Sequence, residues 1–294
     1  MRTYLQILAV RTTISRMIAL CGAMAFLTTA HATLFDYDPF NYSGTALPGQ
    51  NGGTGWNGAW FTTGTSAVNG LSNDGVSLSY PMSWESPLTP LGSSGSHVMT
   101  GGTTANASTS RLLSQTIPLN VDGTVAYASA LFRRNTPSGT ATDSILVEFV
   151  DASANRRWGF GMEAGDRPWL NANGSTQGST VVPAGETYFL VAKIVSSASG
   201  LDTAFLNVYG VGYHSQVTVA EPTTWDLTLT ETTSAILDRI RVRIDTGNGA
   251  STPGEVDEIR VGNSWLDVVS VPEPSSIVLL GLGLLVGVLR KRRD

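Results

Sequence analysis

The chain has 294 residues, of which 41% are apolar and 14% charged, with a formal net charge of −5. That apolar fraction belongs to a chain that can build a core rather than to a disordered one. The acidic balance excludes a nucleic-acid or anionic-lipid footprint built on overall basic charge, and the single cysteine, Cys21, excludes a disulfide framework.

At the start of the chain Arg2, Arg11 and Arg16 precede an apolar stretch from Met17 to Leu27, and Ala30-His31-Ala32 has the small-x-small form of a signal-peptidase site. Residues 1–32 are therefore expected to be a signal peptide cut after Ala32, with Met17 as an alternative start. Residues 33–270 then carry 11 basic and 21 acidic residues, a net charge of −10, and no thiol. Neutral glycans, cationic partners and divalent metals are compatible with such a surface, and nucleic acid is not.

Between 33 and 270 the dominant pattern is short β-type runs separated by clusters of Gly, Asn, Asp, Ser and Thr. Strands are predicted at 76–80, 111–117, 124–132, 144–151, 157–162, 187–196, 203–209, 236–245 and 255–261, the spacing of an all-β sandwich. Asn69-Gly70, Asp74-Gly75, Asp122-Gly123, Asn173-Gly174 and Asn248-Gly249 supply turns. Tyr188-Phe189-Leu190-Val191-Ala192 is apolar throughout and should be covered on both faces. Residues 223–237 come nearest to a helical pattern, but their threonines favour strand or loop. In 240–244, Ile240, Val242 and Ile244 share one face and Arg241 and Arg243 the other, as in a sheet with one wet side. No linker divides residues 33–270, so one β-sandwich domain is expected.

Val271-Pro272-Glu273-Pro274 opens the last segment, followed by an apolar run from Ile277 to Leu289 and then Arg290, Lys291, Arg292 and Arg293. As a helix, residues 275–289 reach roughly 22 Å, short of the ~30 Å hydrocarbon core of a bilayer. The expectation is a short transmembrane helix with its basic cluster on the cytoplasmic side and the body of the protein outside. This order of parts, over residues 271–294, resembles the PEP-CTERM sorting signal of Gram-negative bacteria. The resemblance implies an exosortase that cuts at Pro272-Glu273-Pro274, only transient membrane insertion, and delivery to the cell surface or medium. A plain C-terminal anchor is the alternative reading.

Within 33–270, Phe35-Asp36-Tyr37 is followed by Gly44 and by the run from Gln50 to Trp60, and Val256-Asp257-Glu258-Ile259-Arg260-Val261-Gly262 leads to Trp265 and Val268. With Glu186 to Ile194 leading towards Asp202, these segments resemble concanavalin A-like, laminin-G-like jelly-roll domains. The resemblance implies a jelly-roll β-sandwich and allows a rim calcium, for which Asp36 and Asp38 are available; no other cofactor is expected. Trp56 and Trp60 in the glycine-rich loop either pack it onto the sandwich or stack on a sugar ring, and Trp84, Trp158, Trp169 and Trp225 pose the same question. Trp158 and Trp169, beside Gly159, Gly161 and Gly165 and with Arg156, Arg157 and Arg167, make the best concave-face candidates for binding a ligand.

Catalytic candidates are weak. Retaining glycosidases on a jelly roll use carboxylates at alternate positions of one strand. In Glu255-Val256-Asp257-Glu258, period-2 geometry puts Glu255 and Asp257 on one face and Glu258 on the other, with Ile259 where a second Glu should stand. His97 and His214 read as ordinary surface or loop residues without metal spacing, and Glu148 and Glu163 as lone carboxylates on a concave face. The sequence reading is an exported, non-catalytic surface or matrix protein that binds polysaccharide or serves structurally. A polysaccharide hydrolase or lyase is the alternative.

Overall fold

A computed structural model of the chain describes residues 34–270, except 45, 63–69, 72–77, 87, 89–96, 100–106, 136–143, 164, 173–174, 179, 198–199, 233 and 246–253. The signal-peptide residues Ala30 and Ala32, the Pro272-Glu273-Pro274 motif, the apolar segment and its basic end lie outside the described residues. No helix among the described residues is long and apolar enough to cross a membrane.

The longer strands are β1 (Leu34–Asp38), β2 (Ala107–Pro118), β3 (Val125–Arg133), β4 (Ser144–Asp151), β5 (Arg156–Glu163), β6 (Arg167–Asn171), β7 (Thr187–Val195), β8 (Asp202–Tyr209), β9 (Leu227–Glu231), β10 (Ile236–Asp245) and β11 (Glu255–Gly262). One sheet runs β9-β8-β7-β3-β11 and continues through Val98–Met99 and Gly70–Leu71, with β1 also pairing β11; we call it sheet A. Sheet B runs Ser175–Gln177, β6-β5-β4-β10-β2, and Phe61–Thr62. All pairings within both sheets are antiparallel, and the all-β jelly-roll sandwich expected from the sequence is the fold observed. The predicted strand at 76–80 is the exception, since Leu78–Tyr80 is irregular and Leu78 N–H donates instead to the buried Asp257 carboxylate (2.9 Å).

Alternation explains the two layers. From sheet A, Ala128, Ala130 and Phe132 of β3 and Tyr188, Leu190 and Ala192 of β7 point into the inter-sheet core; from sheet B come Val147, Phe149, Phe160, Ile240 and Val242. The other face of sheet A is covered as well. Tyr127, Leu131, Phe189, Val191 and Tyr209 form a second cluster with Leu78, Val217, Trp265 and Val268, so Tyr188–Ala192 is buried on both faces as the sequence implies.

Part of that cover is a short helix, α1 (Trp265–Val269). Asp267 starts it by accepting from the backbone N–H groups of Asn263 (2.9 Å) and Ser264 (2.8 Å), donors a helix N-terminus leaves unpaired. Gly262 allows that close return, because a Cβ there would stand 2.3 Å from Asp267 Cβ. Ser129 Oγ–H then donates to the Val268 carbonyl (2.7 Å) and Trp265 Nε1–H to the Thr218 carbonyl (2.9 Å), tying the helix down.

Candidate ligand-binding face

The carboxylates of β11 do not face a groove. A bulge falls between Asp257 and Arg260, and Glu258 takes φ 54°, a left-handed conformation that inserts an extra residue into the strand. Val256, Ile259 and Val261 all reach the inter-sheet core, so the bulge turns Asp257 and Glu258 away from it together. The simple alternation expected for Glu258 is thereby corrected.

Each carboxylate is buried and engaged. Asp257 accepts from Leu78 N–H and Glu258 N–H (2.8 Å), and Glu258 from the Tyr37 hydroxyl (2.8 Å) and Arg260. Glu255 meets Arg133 (2.5 Å), Asn135 (2.8 Å) and His97 (3.3 Å). His97 is therefore a buried partner of Glu255, whereas His214 sits near the surface beside Asp226 (3.3 Å). Burial, strengthened by the neighbouring Glu258 charge, pushes the Asp257 carboxyl well above the usual carboxylate range.

The glycine-rich loop packs inward. Trp60 is 1% exposed and its Nε1–H donates to Asp38 (2.8 Å), while Trp56 Nε1–H donates to the Tyr37 carbonyl (2.9 Å). Gly53 and Gly55 allow this approach, since a Cβ would stand 2.2 Å from the Tyr37 carbonyl oxygen and 1.8 Å from that of Phe35. Asp38 also accepts from Phe40 N–H (2.9 Å), the Tyr42 hydroxyl (2.5 Å) and Arg111 (2.6 Å). With Asp36 accepting from Ser114 N–H (3.0 Å), neither carboxylate offered for calcium stands open at a rim. Among the described residues no group of three or more His, Cys, Asp or Glu is placed to hold a metal ion. Trp84 packs against Phe189 and Trp225 against Trp265, both over sheet A.

The outer face of sheet B is different. Core-facing Ile240, Val242 and Ile244 turn Arg239, Arg241 and Arg243 outward, and core-facing Val147 and Phe149 turn Glu148 outward. Arg241 stands directly across from Glu148 in the register of β10 on β4, and Gly159 stands across from it on β5. Glu148, fully buried, takes Arg241 on one oxygen (2.6 Å) and Arg156 on the other (3.1 Å). Around this clamp Arg157 pairs with Asp151 (2.7 Å), Arg239 with Asp238 (2.8 Å) and Arg243 with Asp245 (2.8 Å). The side chains of Arg156, Arg157 and Arg243 keep about 30% of their surface exposed, so the face presents guanidinium edges to solvent.

The two tryptophans singled out by sequence divide between the layers. Trp158 is in the core, stacked on Phe149 at 4.5 Å between centroids, and offers no ring to a ligand; this corrects its assignment to the binding face. A bulge opposite Phe149 and Val150 leaves Arg157 out of register and turns Trp158 inward while Arg156 stays outward. Trp169 lies on the outer face opposite Gly161, and the Arg156 guanidinium covers its ring at 5.0 Å. Gly161 has to be glycine, because a Cβ would stand 2.1 Å from the Ile145 carbonyl oxygen. Glu148 does face outward, as read, but as the centre of an arginine clamp; that pairing follows from cross-strand register, which one strand's sequence does not reveal.

Residues 270–293 match the PEP-CTERM protein-sorting motif. A search of curated proteins finds no match. Among solved structures, an endo-beta-1,4-glucuronan lyase from the fungus Trichoderma reesei is similar over 75% of this chain and 95% of its own, at 12% identity and a TM-score of 0.42. Domain 4 of AbnA, a GH43 extracellular arabinanase from Geobacillus stearothermophilus in complex with arabinotriose, is similar over 82% of this chain and 96% of its own, at 12% identity and a TM-score of 0.38. A sialidase is similar over 58% of this chain, which spans 16% of that protein, at 10% identity and a TM-score of 0.35. Likenesses this low bear on neither ligand nor activity.

Proposed function

We propose that this is an exported cell-surface or extracellular-matrix protein of a Gram-negative bacterium, sorted by an exosortase, whose sandwich binds polysaccharide without catalysis on the outer face of sheet B. The sorting motif at residues 270–293 supports the destination. The observation that carries the binding reading is the clamp of Arg156 and Arg241 on Glu148, beside Trp169. Partly exposed, planar guanidinium groups held in place by a buried carboxylate are preorganised hydrogen-bond donors for a hydroxyl-rich polymer. Glycoside hydrolysis needs two carboxyl groups about 5–9.5 Å apart across the bond to be cut. Glu148 has both oxygens committed to arginine, which favours binding over chemistry.

Export uses residues 1–32 as the signal peptide and signal peptidase as its partner; the C-terminal helix is held in the membrane only until processing. A glycan array and a pull-down against exopolysaccharide test the binding reading. Retention that weakens when Arg156 and Arg241 are replaced by Ala is the expected result, and no retention on any polysaccharide refutes it. Mass spectrometry of protein recovered from envelope and medium tests the sorting. A C-terminus near Pro272-Glu273-Pro274 is expected, and Asp294 retained in all surface material would refute processing.

A further inference from the structure

β6 sends Leu170 and Ala172, just beyond its end, into the inter-sheet core and so presents Arg167, Trp169 and Asn171 together on the outer face of sheet B. Each of the three has a buried polar atom without a hydrogen-bond partner among the described residues: Arg167 Nε, Trp169 Nε1 and Asn171 Oδ1. Trp169 and Asn171 are each only 2% exposed. Buried polar groups in folded proteins nearly always find a partner. Orphaned atoms also occur at Glu255, Glu258 and Arg260 of β11, but those side chains have other hydrogen bonds, whereas none is made by the side chains of Arg167, Trp169 and Asn171 to a described residue, which points to a polar ligand there. Arg167 makes no ion pair with any described residue, unlike Arg157, Arg239 and Arg243 elsewhere on sheet B, each of which has an aspartate.

The row combines a cation, two N–H donors and one acceptor. From this combination we infer that β6 is a subsite for a carboxylate-bearing sugar, making the polymer bound by sheet B an acidic polysaccharide; the inference rests on the polysaccharide-binding reading above. The sugar carboxylate accepts from Arg167 and from Trp169 Nε1–H, and a neighbouring hydroxyl donates to Asn171 Oδ1. Alternate strand positions lie about 6.6–6.8 Å apart, so the row can hold the two groups side by side on one sugar unit. A neutral sugar would leave Arg167 without a charge-assisted hydrogen bond, since Glu163 across from it in register makes no ion pair with it. A phosphodiester would leave Asn171 Oδ1 without a donor. Arg156 keeps Nη1 on Glu148, and the rest of its guanidinium, which makes no other hydrogen bond to a described residue and is 32% exposed, turns about that contact off the indole to admit the ring.

The net charge of −10 between residues 33 and 270 is not shared by this face, where six arginines stand against five carboxylates, Glu148, Asp151, Asp238, Asp245 and Glu163. Six of the 11 basic residues in that span, Arg156, Arg157, Arg167, Arg239, Arg241 and Arg243, stand on or beside this one face. Acidic surface elsewhere holds an anionic polymer to the arginine face by repelling it from the rest.

The test uses the full-length protein in a non-ionic detergent, titrated calorimetrically with polygalacturonate, alginate and hyaluronate, with fully methyl-esterified polygalacturonate as the uncharged control. Duplex DNA and phosphatidylglycerol vesicles are the other anions. At least one polyuronate is expected to bind, with an affinity that falls as salt rises. The ester and the Arg167→Gln variant, which lose the charge-assisted contact, and Asn171→Asp, which sets a carboxylate beside the sugar's own, are expected to bind it at least about ten-fold more weakly. Thermal unfolding of both variants checks that they fold. If the ester binds as tightly as the acid, the acidic class is wrong while the polysaccharide reading survives. Absence of binding to every polymer overturns both. Equal affinity for DNA or vesicles overturns the subsite in favour of a general anion patch, and unchanged affinity in both folded variants overturns its placement on β6.

Discussion

Replacing Asp38 with Asn should be among the most damaging single-atom changes this domain can suffer. Asp38 is 0% exposed, and its Oδ2 receives Arg111 Nη1–H, Trp60 Nε1–H and the Tyr42 hydroxyl at once. Its Oδ1 receives Phe40 N–H. An amide has one acceptor oxygen, so in either orientation its NH2 group meets a donor, and the buried Arg111 loses its counter-charge. Breaking a buried pair by removing one partner costs about 3–5 kcal/mol. At roughly 2–4 °C per kcal/mol for a domain of 150–250 residues, the melting temperature should fall by about 6–20 °C. Burial outweighs the hydrogen bonds from Tyr42 and the Arg111 charge and raises the Asp38 carboxyl above its ordinary range, so the pair is costly to hide and specifies geometry more than it adds stability. Removing both charges in Asp38→Leu/Arg111→Met should therefore cost clearly less than the two single changes combined. Circular dichroism melts of the two single variants and the double variant form the cycle. A fall below about 3 °C for Asp38→Asn, or simple additivity in the double variant, would refute the reasoning.

Asp36 gives a pH signature of its own. Burial pushes its carboxyl from 3.8 up to about 6, against the hydrogen bonds from Ser114, so the folded state holds the proton more tightly than the unfolded one. Its contribution to stability is greatest below the unfolded value and falls as pH rises from about 4 to about 6. Asp36→Asn should gain stability relative to the natural chain between about pH 4.5 and pH 7, and parallel unfolding curves at the two pH values would contradict this. Gly161→Ala forces a Cβ against the Ile145 carbonyl oxygen, a backbone atom that cannot rotate away, and should cost at least about 2 kcal/mol in a denaturant titration. A cost below 0.5 kcal/mol or so would mean that β4 and β5 can separate locally without penalty.

Most long strands are legible in the sequence because their alternation is strong: Ser144–Asp151 and Ile236–Asp245 end at the residues the pattern predicts. β1, β6 and the short strands are not. Leu34–Asp38 places Asp36 and Asp38 in buried sites that pattern reading assigns to a polar rim. Arg167–Asn171 contains a proline and alternates charged, aromatic and amide residues against the core. The helix over Trp265–Val269 is too short to show a period and is fixed by tertiary contacts. The outer face of sheet B is half legible. Arg241 and Arg243 are read correctly as the wet side of β10, but their partners Glu148 and Asp245 follow from register and from a turn back along the strand.

Bulges decide which residues reach which face, and the two tryptophans make this measurable. Counting in twos from Arg156 sends Trp158 to the same side as Arg156; the bulge at Arg157 reverses it, and Trp158 stacks on Phe149 inside. Trp169 follows the uninterrupted alternation of β6 and stays outside, under Arg156. Truncating a buried aromatic to Ala costs about 3–5 kcal/mol where the surrounding core cannot collapse, and Trp158→Ala should fall in that range. Trp169→Ala should cost less, because the Arg156 side chain that covers it is 32% exposed and can settle into the space. Polysaccharide affinity should divide the other way. At a temperature where both variants are folded, Trp169→Ala should lose binding by about ten-fold or more, one strong contact, while Trp158→Ala binds as the natural chain does. Comparable affinity in the two folded variants would place the ligand away from β6 and remove the reason for Trp169 and Asn171 to keep unpartnered polar atoms on that face.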